Sequence, residues 1–516
     1  MHANLSPPHT GPCAGTTARV PGGGRIAWWI AGLAVVSAGL TLRVMGAWGE
    51  LWLDEIWTLY LLADRAPSPF HVFWSVQHDN VHPLYGFYAW FMPDYPHPLL
   101  YRLPAILLGA GTIVLAGLIG RRRSAAEALV AMVLAALAYP MVHYGSEARG
   151  YGPMMFCILM AFWLIDGDLQ EGAARRRSWV ALAFVGAVLF HATAVLAVLA
   201  LGLWFLLDRF WETGSPPRAL AQAFRYFLPG MVMLLFLFSV FLAAVLTNGF
   251  QRGSFFGPAG VAGHFVAQVG EMVKVFWGLP AIMPAWAGLG AVAAGVAAVI
   301  AWLFRQRDRR APLYVIVLLG LPGALFVAGM NAYAFGRYYL FALVFLVPLA
   351  AQGLAGAWHR GRMGKTVCLV LLAIFLAGSA RSNALFLAHG RGDMRAAIAR
   401  LVEPGQGAVV RVGTDNKWWF GTIATYHGRD MAPGIRFEIV QLGGFGPAPP
   451  RWLVLHFNPT SGTVAFAARG RQPAPRGKLA GARYVLDRLY RHWGLSGSDW
   501  VVYRREPGTR PGGGER

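Results

Sequence analysis

The acidic pair Asp54-Glu55 follows directly on the first long apolar run of the chain. Other ionisable residues occupy similar places: His78-Asp79, His82-Pro83, Arg102, Glu147-Ala148-Arg149, His191 and Arg337-Tyr338-Tyr339 interrupt apolar runs or stand at their ends. A carboxylate can take a proton from a hydroxyl, and an arginine fork can hold two oxygens of an anion. Imidazole and carboxylate together can bind a divalent metal, and His78, Asp79, His82, Glu147 and His191 supply such donors. No tight ligand spacing ties those residues together. Charged groups beside a bilayer are costly and usually face a cavity or one another. A set of them on one side therefore points to a site at one membrane face.

Each residue also has a plainer reading. Asp54 would serve only as the N-cap of a helix from Ile56 to Leu62, although Trp57 stands where a capping box would place Glu. Arg102 and Arg149 would snorkel at helix ends, and interface histidines would simply be hydrogen-bonded.

The elements that must position these groups are membrane spans. The chain has 516 residues, of which 56% are hydrophobic and 13% charged, about half the charge of a soluble domain. Its mean hydropathy is +0.47, and apolar runs of about twenty residues recur, each long enough for a bilayer core. The net charge of +21 would suit nucleic acid, but the cations fall in short clusters between apolar runs, with no basic stripe interleaved with aromatics. They read as topology signals: Arg121-Arg122-Arg123, Arg175-Arg176-Arg177, Arg305 to Arg310 and Arg360 to Lys365 share one side, which is cytoplasmic by the positive-inside rule. Three cysteines without metal or redox spacing define no framework.

Residues 1–24 read as a disordered cytoplasmic N-terminus, and the span after them as an uncleaved signal anchor. Residues 25–380 form the membrane domain, with about eleven transmembrane helices and outer loops at 46–100 and 248–282. Trp179 to Leu207 is too long for one crossing and divides at His191-Ala192-Thr193. In the second loop His264, Gln268, Glu271 and Lys274 have the spacing of an amphipathic helix lying in the interface. From Arg381 short apolar runs at Val409, Phe437 and Trp452 alternate with helix-like stretches such as Asp393 to Val402. Residues 381–507 therefore read as a small extracytoplasmic α/β domain, and 508–516 as a disordered tail.

Within this frame Leu53-Asp54-Glu55, His82-Pro83-Leu84-Tyr85, Tyr101-Arg102-Leu103-Pro104, Glu147-Ala148-Arg149-Gly150-Tyr151 and Arg337-Tyr338-Tyr339-Leu340 stand in order on the outer side. Together they resemble the motifs of the GT-C membrane glycosyltransferases, in the protein O-mannosyltransferase and aminoarabinose transferase-like branch. The resemblance covers about residues 26–380. Leu84 departs from the usual His-Pro-Pro and leaves that turn less rigid. The resemblance implies an inverting transfer of a hexose or pentose from a polyprenyl-phosphate carrier to a lipid, glycan or protein acceptor, at the outer face of the plasma membrane. Asp54 would be the base with Glu55 beside it in the catalytic pair. His82, Arg102, Glu147, Arg149, Arg337 and Tyr338 would bind substrate, the arginines on the donor phosphate. The sequence assigns no cofactor, a divalent metal stays open, and no nucleic acid is expected. A polytopic transporter or lipid flippase is the rival reading, against which stands the lack of an internal repeat. A non-catalytic scaffold would leave the polar residues dispersed.

Overall fold

A computed structural model describes residues 22–76, 78, 81–249, 261–280, 282–328, 335–402, 408–431, 434–445, 449–457 and 482–506. The expected N-terminal and C-terminal disorder falls almost wholly outside them, as does Asp79, but Gly22 already begins the first helix, Gly22–Gly46. By length and apolar composition seven described helices can cross a membrane. The pair Gly336–Leu343 and Leu346–Trp358, bent by 50°, makes an eighth if it is one span. Three expected crossings correspond to shorter apolar helices, Ala125–Leu137, Arg177–Phe190 and Ala311–Val327. The first of these has 13 residues, or about 20 Å, short of a bilayer core of about 30 Å.

The chain breaks where the sequence dictates. Arg177–Phe190 and Ala194–Thr213 are separated at His191 to Thr193. Ala125–Leu137 ends before Pro140, which has no N–H to offer the Ala136 carbonyl. A buried arginine fills that gap. Arg43, fully buried on the first helix, donates to the Ala135 and Ala136 carbonyls at 3.0 and 3.4 Å, and Asn383 Nδ2 donates to that of Leu137 at 2.8 Å. The cation thus faces the negative end of a helix dipole rather than an acid. Past the break, Tyr139–Tyr144 leads into the loop that carries Glu147 and Arg149.

Helix Leu103–Arg121 has 19 residues, about 28 Å, and separates two charged layers. At its Arg122 end Asp166 accepts from Arg122 at 2.7 Å and from Arg310 at 2.8 and 3.0 Å, while Arg123 pairs with Asp308. The basic clusters are therefore also ion-paired locks between helices. At the other end Arg102 meets Glu55.

The helix Val261–Phe276 covers the expected interfacial segment, but the placement of its polar residues differs from that expectation. Glu271 and Lys274 are buried and paired at 2.6 Å, with Lys274 also donating to the Met283 carbonyl. Their spacing matches a packed helix face as well as a solvated one, because a pair can satisfy itself inside the protein.

The last long helix, Gly361–His389, continues through Arg381, and Asp393 caps the next, Met394–Leu401, by accepting from Ala396 N–H at 3.1 Å. Five strands then form one sheet: β1 (Val409–Thr414), β2 (Arg436–Gln441), β3 (Trp452–Phe457), β4 (Tyr484–Tyr490) and β5 (Asp499–Arg505). Their order is β2-β1-β3-β5-β4, with β1 parallel to both neighbours and β5 antiparallel to β3 and β4. Helix Lys417–Met431 connects β1 to β2. Val410, Phe420, Ile423, Trp452 and Trp500 share a continuous apolar core with Ile56, Leu59 and Leu62 of the helix Leu53–Arg65. The sheet module and the helix bearing Asp54 are packed as one body.

Candidate active site

Asp54 lies in the first turn of Leu53–Arg65, where the N-terminal dipole favours an anion. The N-cap is Trp52, two residues before Asp54, and Glu55 closes the helix start by accepting from Trp52 N–H at 3.1 Å. Adjacent residues on a helix point apart, and the two acids accordingly have separate surroundings.

Glu55 is fully buried. Its Oε1 accepts from Arg102 Nε at 2.8 Å and from Ala148 N at 2.6 Å, and its Oε2 from Arg102 Nη2 at 2.5 Å and Trp52 N. A carboxylate so filled has no lone pair to spare for a substrate. Glu55, expected in the catalytic pair, faces Arg102 and backbone N–H groups and not the guanidiniums beside Asp54. It ties the Asp54 helix to the loop at Ala148.

Arg102 is likewise displaced from its expected place on a phosphate. Besides Glu55 it donates to the carbonyls of Ala47 and Gly49 at 2.8 and 2.5 Å and of Glu50 at 2.8 Å. All of its N–H groups are used, and the side chain is fully buried. It folds the 47–50 turn back onto the helix start.

Asp54 is different. Its Oδ2 lies 2.9 Å from Arg149 Nη1 and 3.2 Å from Arg337 Nη1, which join it from residues 95 and 283 positions away in sequence. The carboxylate is 17% exposed, Arg149 3% and Arg337 19%, so the cluster is shielded yet reachable. Arg337 Nε has no partner among the described residues. The guanidinium lies over Tyr338 and Phe335 at 5.6 and 5.0 Å from the ring centroids, and that of Arg149 lies 5.6 Å from the ring of Tyr151.

Imidazoles and phenols wall the cluster. The rings of His82 and His191 are 4.6 Å apart, Tyr151 is 4.6 Å from His191, and Tyr338 is 6.1 Å from His191. Burial, then Arg149, His191 and Arg337, push the His82 imidazole well below its ordinary value and keep it neutral. Its Nε2 has no partner among the described residues. His191 is oriented by Thr193, whose backbone N–H reaches Nδ1 at 3.2 Å and whose hydroxyl lies 2.8 Å from it. Gly150 brings these parts together. A Cβ there would sit 1.7 Å from the Phe190 carbonyl and 3.3 Å from His82 Cβ, so only glycine permits the approach.

The structure thus gathers Asp54, His82, Arg149, Arg337 and Tyr338, and adds His191 and Tyr151. It separates Glu147, whose Oε2 accepts from Ser496 Oγ at 2.9 Å and lies 3.4 Å from His143 Nε2 and 3.6 Å from Arg391 Nε. Glu147 is turned toward the sheet module rather than toward a substrate. Of the possible metal donors Asp79 lies outside the described residues, the rings of His82 and His191 lie against each other, and His78 Nε2 accepts from Trp57 Nε1 at 3.5 Å; no three His, Cys, Asp or Glu side chains gather around one point among the described residues. Ser496 carries no sequence signal for its role, being 349 positions from Glu147.

No protein-family model matches the chain, and no curated protein matches it in sequence. Solved structures match it in fold. The chain covers 95% of itself and 100% of apo ArnT from Cupriavidus metallidurans at a TM-score of 0.50 and 12% identity. ArnT bound to undecaprenyl phosphate aligns with 96% of this chain and 100% of its own at 0.46 and 13% identity. The Archaeoglobus fulgidus oligosaccharyltransferase in complex with Zn and sulfate aligns over 90% of this chain and 73% of its own at 0.44 and 11% identity. ArnT is an aminoarabinose transferase of the GT-C fold, and the whole-chain match shows that this protein has that fold.

Proposed function

We propose that the protein is an inverting glycosyltransferase that moves a sugar from a polyprenyl-phosphate carrier to an acceptor hydroxyl or phosphate at the outer membrane face. One observation carries the reading: two arginines from distant parts of the chain close on the single carboxylate Asp54 in a shielded cluster. Two guanidiniums side by side can grip the oxygens of a phosphodiester. ArnT, whose fold is shared, has been solved with a lipid phosphate of this class. Tyr151, Tyr338 and His191 offer hydroxyl and imidazole groups for the sugar.

In the transfer the acceptor oxygen forms its bond to the anomeric carbon while the bond to the carrier phosphate breaks. The proton passes from the acceptor to Asp54. The leaving phosphate gains negative charge, so Arg149 and Arg337 hold it more strongly in the transition state than in the ground state. Such a leaving group needs no proton, and one carboxylate suffices where a glycosidase needs two. The donor phosphate also unmasks the base, because it draws onto itself the guanidiniums that otherwise hold Asp54. The polar cluster lies at the end of the spans and not at their midplane, which speaks against the transporter reading.

Asp54→Asn separates the roles. Transfer falls by about 10²- to 10⁴-fold, the usual share of a general base. Binding of a polyprenyl phosphate holds or tightens, since the competing carboxylate charge is gone. Wild-type transfer by a folded Asp54→Asn protein would overturn the reading.

A further inference from the structure

The loop from Gly145 to Gly150 is held at three successive residues by two parts of the chain, the C-terminal module and the helix Leu53–Arg65. Glu147 is held from the sheet module, Ala148 N–H by Glu55, and the side chain of Arg149 by Asp54. A tight turn joins the first to the last, with Arg149 N–H donating to the Glu147 carbonyl at 2.7 Å. The grip on Glu147 is built from residues after the last span. Arg391 is 4% exposed. It donates to the His143 and Ser146 carbonyls at 3.0 and 3.1 Å, to the Ser146 hydroxyl at 3.2 Å and to the Gly46 carbonyl at 3.2 Å. Ser496 donates to Glu147 from the connection between β4 and β5.

That connection is shaped for the task. His492 is fixed by Asp499, whose Oδ1 accepts from its backbone N–H at 2.8 Å and lies 2.8 Å from its Nδ1. Gly392 and Gly497 take φ of +107° and +105°, and a Cβ on Gly497 would lie 2.1 Å from the Arg391 carbonyl. The two segments interlock only because both are glycine at those points. Trp493, 1% exposed, packs with Tyr139 and Phe386. The segment is thus a plug seated in the membrane domain, ending on Glu147.

We propose that the C-terminal module positions Arg149 for the donor phosphate: Arg391 and Ser496 clamp Glu147, and the Glu147–Arg149 turn passes that placement to the guanidinium. The sheet module is then part of the anion-binding apparatus without touching the anion. The proposal rests on the reading that Arg149 binds the donor phosphate. Arg391, Ser496 and Glu147 are positioning residues.

The test uses the full chain in lipid nanodiscs, with hydrogen exchange of the Ala148 and Arg149 amides and titration with a polyprenyl monophosphate. Ser496→Ala removes one hydroxyl, and Arg391→Lys keeps the charge but loses the fork. Both speed exchange at the two amides and weaken the lipid phosphate by about tenfold, the scale of one hydrogen bond to a charged group. In an Arg149→Met background Ser496→Ala weakens binding no further, because the group it places is gone. A merely structural contact would lower stability and leave affinity unchanged. Wild-type exchange and affinity in both variants, or an undiminished effect in the Arg149→Met background, overturns the proposal. If the wild-type protein binds no polyprenyl phosphate, the functional reading fails separately. Exchange at Ala148 and Arg149 then decides the clamp by itself.

Discussion

At the scale of single residues, adjacent acids with the same chemistry have opposite fates. Glu55 is buried and saturated, and Asp54 is partly open and faces the guanidiniums of Arg149 and Arg337. The difference has a measurable consequence. Arg102→Met leaves the Glu55 charge buried without its counterion, a situation that costs about 3–5 kcal/mol. We expect a large fall in the thermal midpoint in detergent, whereas Asp54→Asn moves it little. Equal stability losses in the two variants would show that the assignment of roles is wrong. Arg102 and Arg149 look alike in the sequence, each standing at the head of an apolar run. What distinguishes them is how many acceptors the fold puts around each guanidinium, and that number depends on carbonyls from residues 47–50 that no local pattern marks.

At the scale of elements, the site is made by breaks in helices rather than by helices. Pro140 interrupts the third apolar run, His191 to Thr193 the fifth, and Gly150 lets the loop bearing Arg149 close on the Phe190 end of the fifth. Gly150→Ala drives a methyl group into the Phe190 carbonyl. Overpacking of that kind costs about 1–3 kcal/mol, and the loop that yields carries Arg149. The expected result is a lower midpoint together with weaker lipid-phosphate binding; a midpoint and affinity equal to wild type would show that the approach is not required. The break at His191-Ala192-Thr193 was legible as a local interruption, whereas the break before Pro140 falls inside a run, 125–142, that reads as one continuous span. The burial of Glu271 with Lys274 was not legible, because a solvated stripe and a self-satisfied buried pair have the same spacing.

At the scale of the whole molecule, the sheet module and the membrane domain share charge as well as apolar surface. Burial alone would raise the Glu147 carboxyl, but the contact with His143, then Arg391 and Arg149, outweighs it and holds the group down at about 2 against an ordinary 4.5. A carboxyl depressed by folding stabilises the docked state fully above its unfolded value. That contribution is lost as pH falls through the folded value. Docking of the 491–499 segment should therefore be insensitive to acid down to about pH 4.5 and loosen between there and about pH 2. Hydrogen exchange of that segment across the window checks it, and Glu147→Gln should abolish the dependence. A segment that loosens with the same profile in Glu147→Gln would point to another titrating group.

Sequence by itself determined the solvent, the one-sided polar set, the break at His191 to Thr193 and the runs that become β1, β2 and β3. All of these follow from composition, from period, or from polar residues that interrupt an apolar run, so they are written locally. It also brought Asp54, Arg149 and Arg337 into one proposal through their likeness to known motifs. The tertiary structure alone decided which charged residues face one another. Glu55 and Arg102 satisfy each other, Glu147 is claimed by Arg391 and Ser496, and Asp54, Arg149 and Arg337 face one another. Whether a buried ion is a lock or a tool depends on the acceptors and donors that distant segments bring to it, and those partners are set by packing, not by neighbours in the chain.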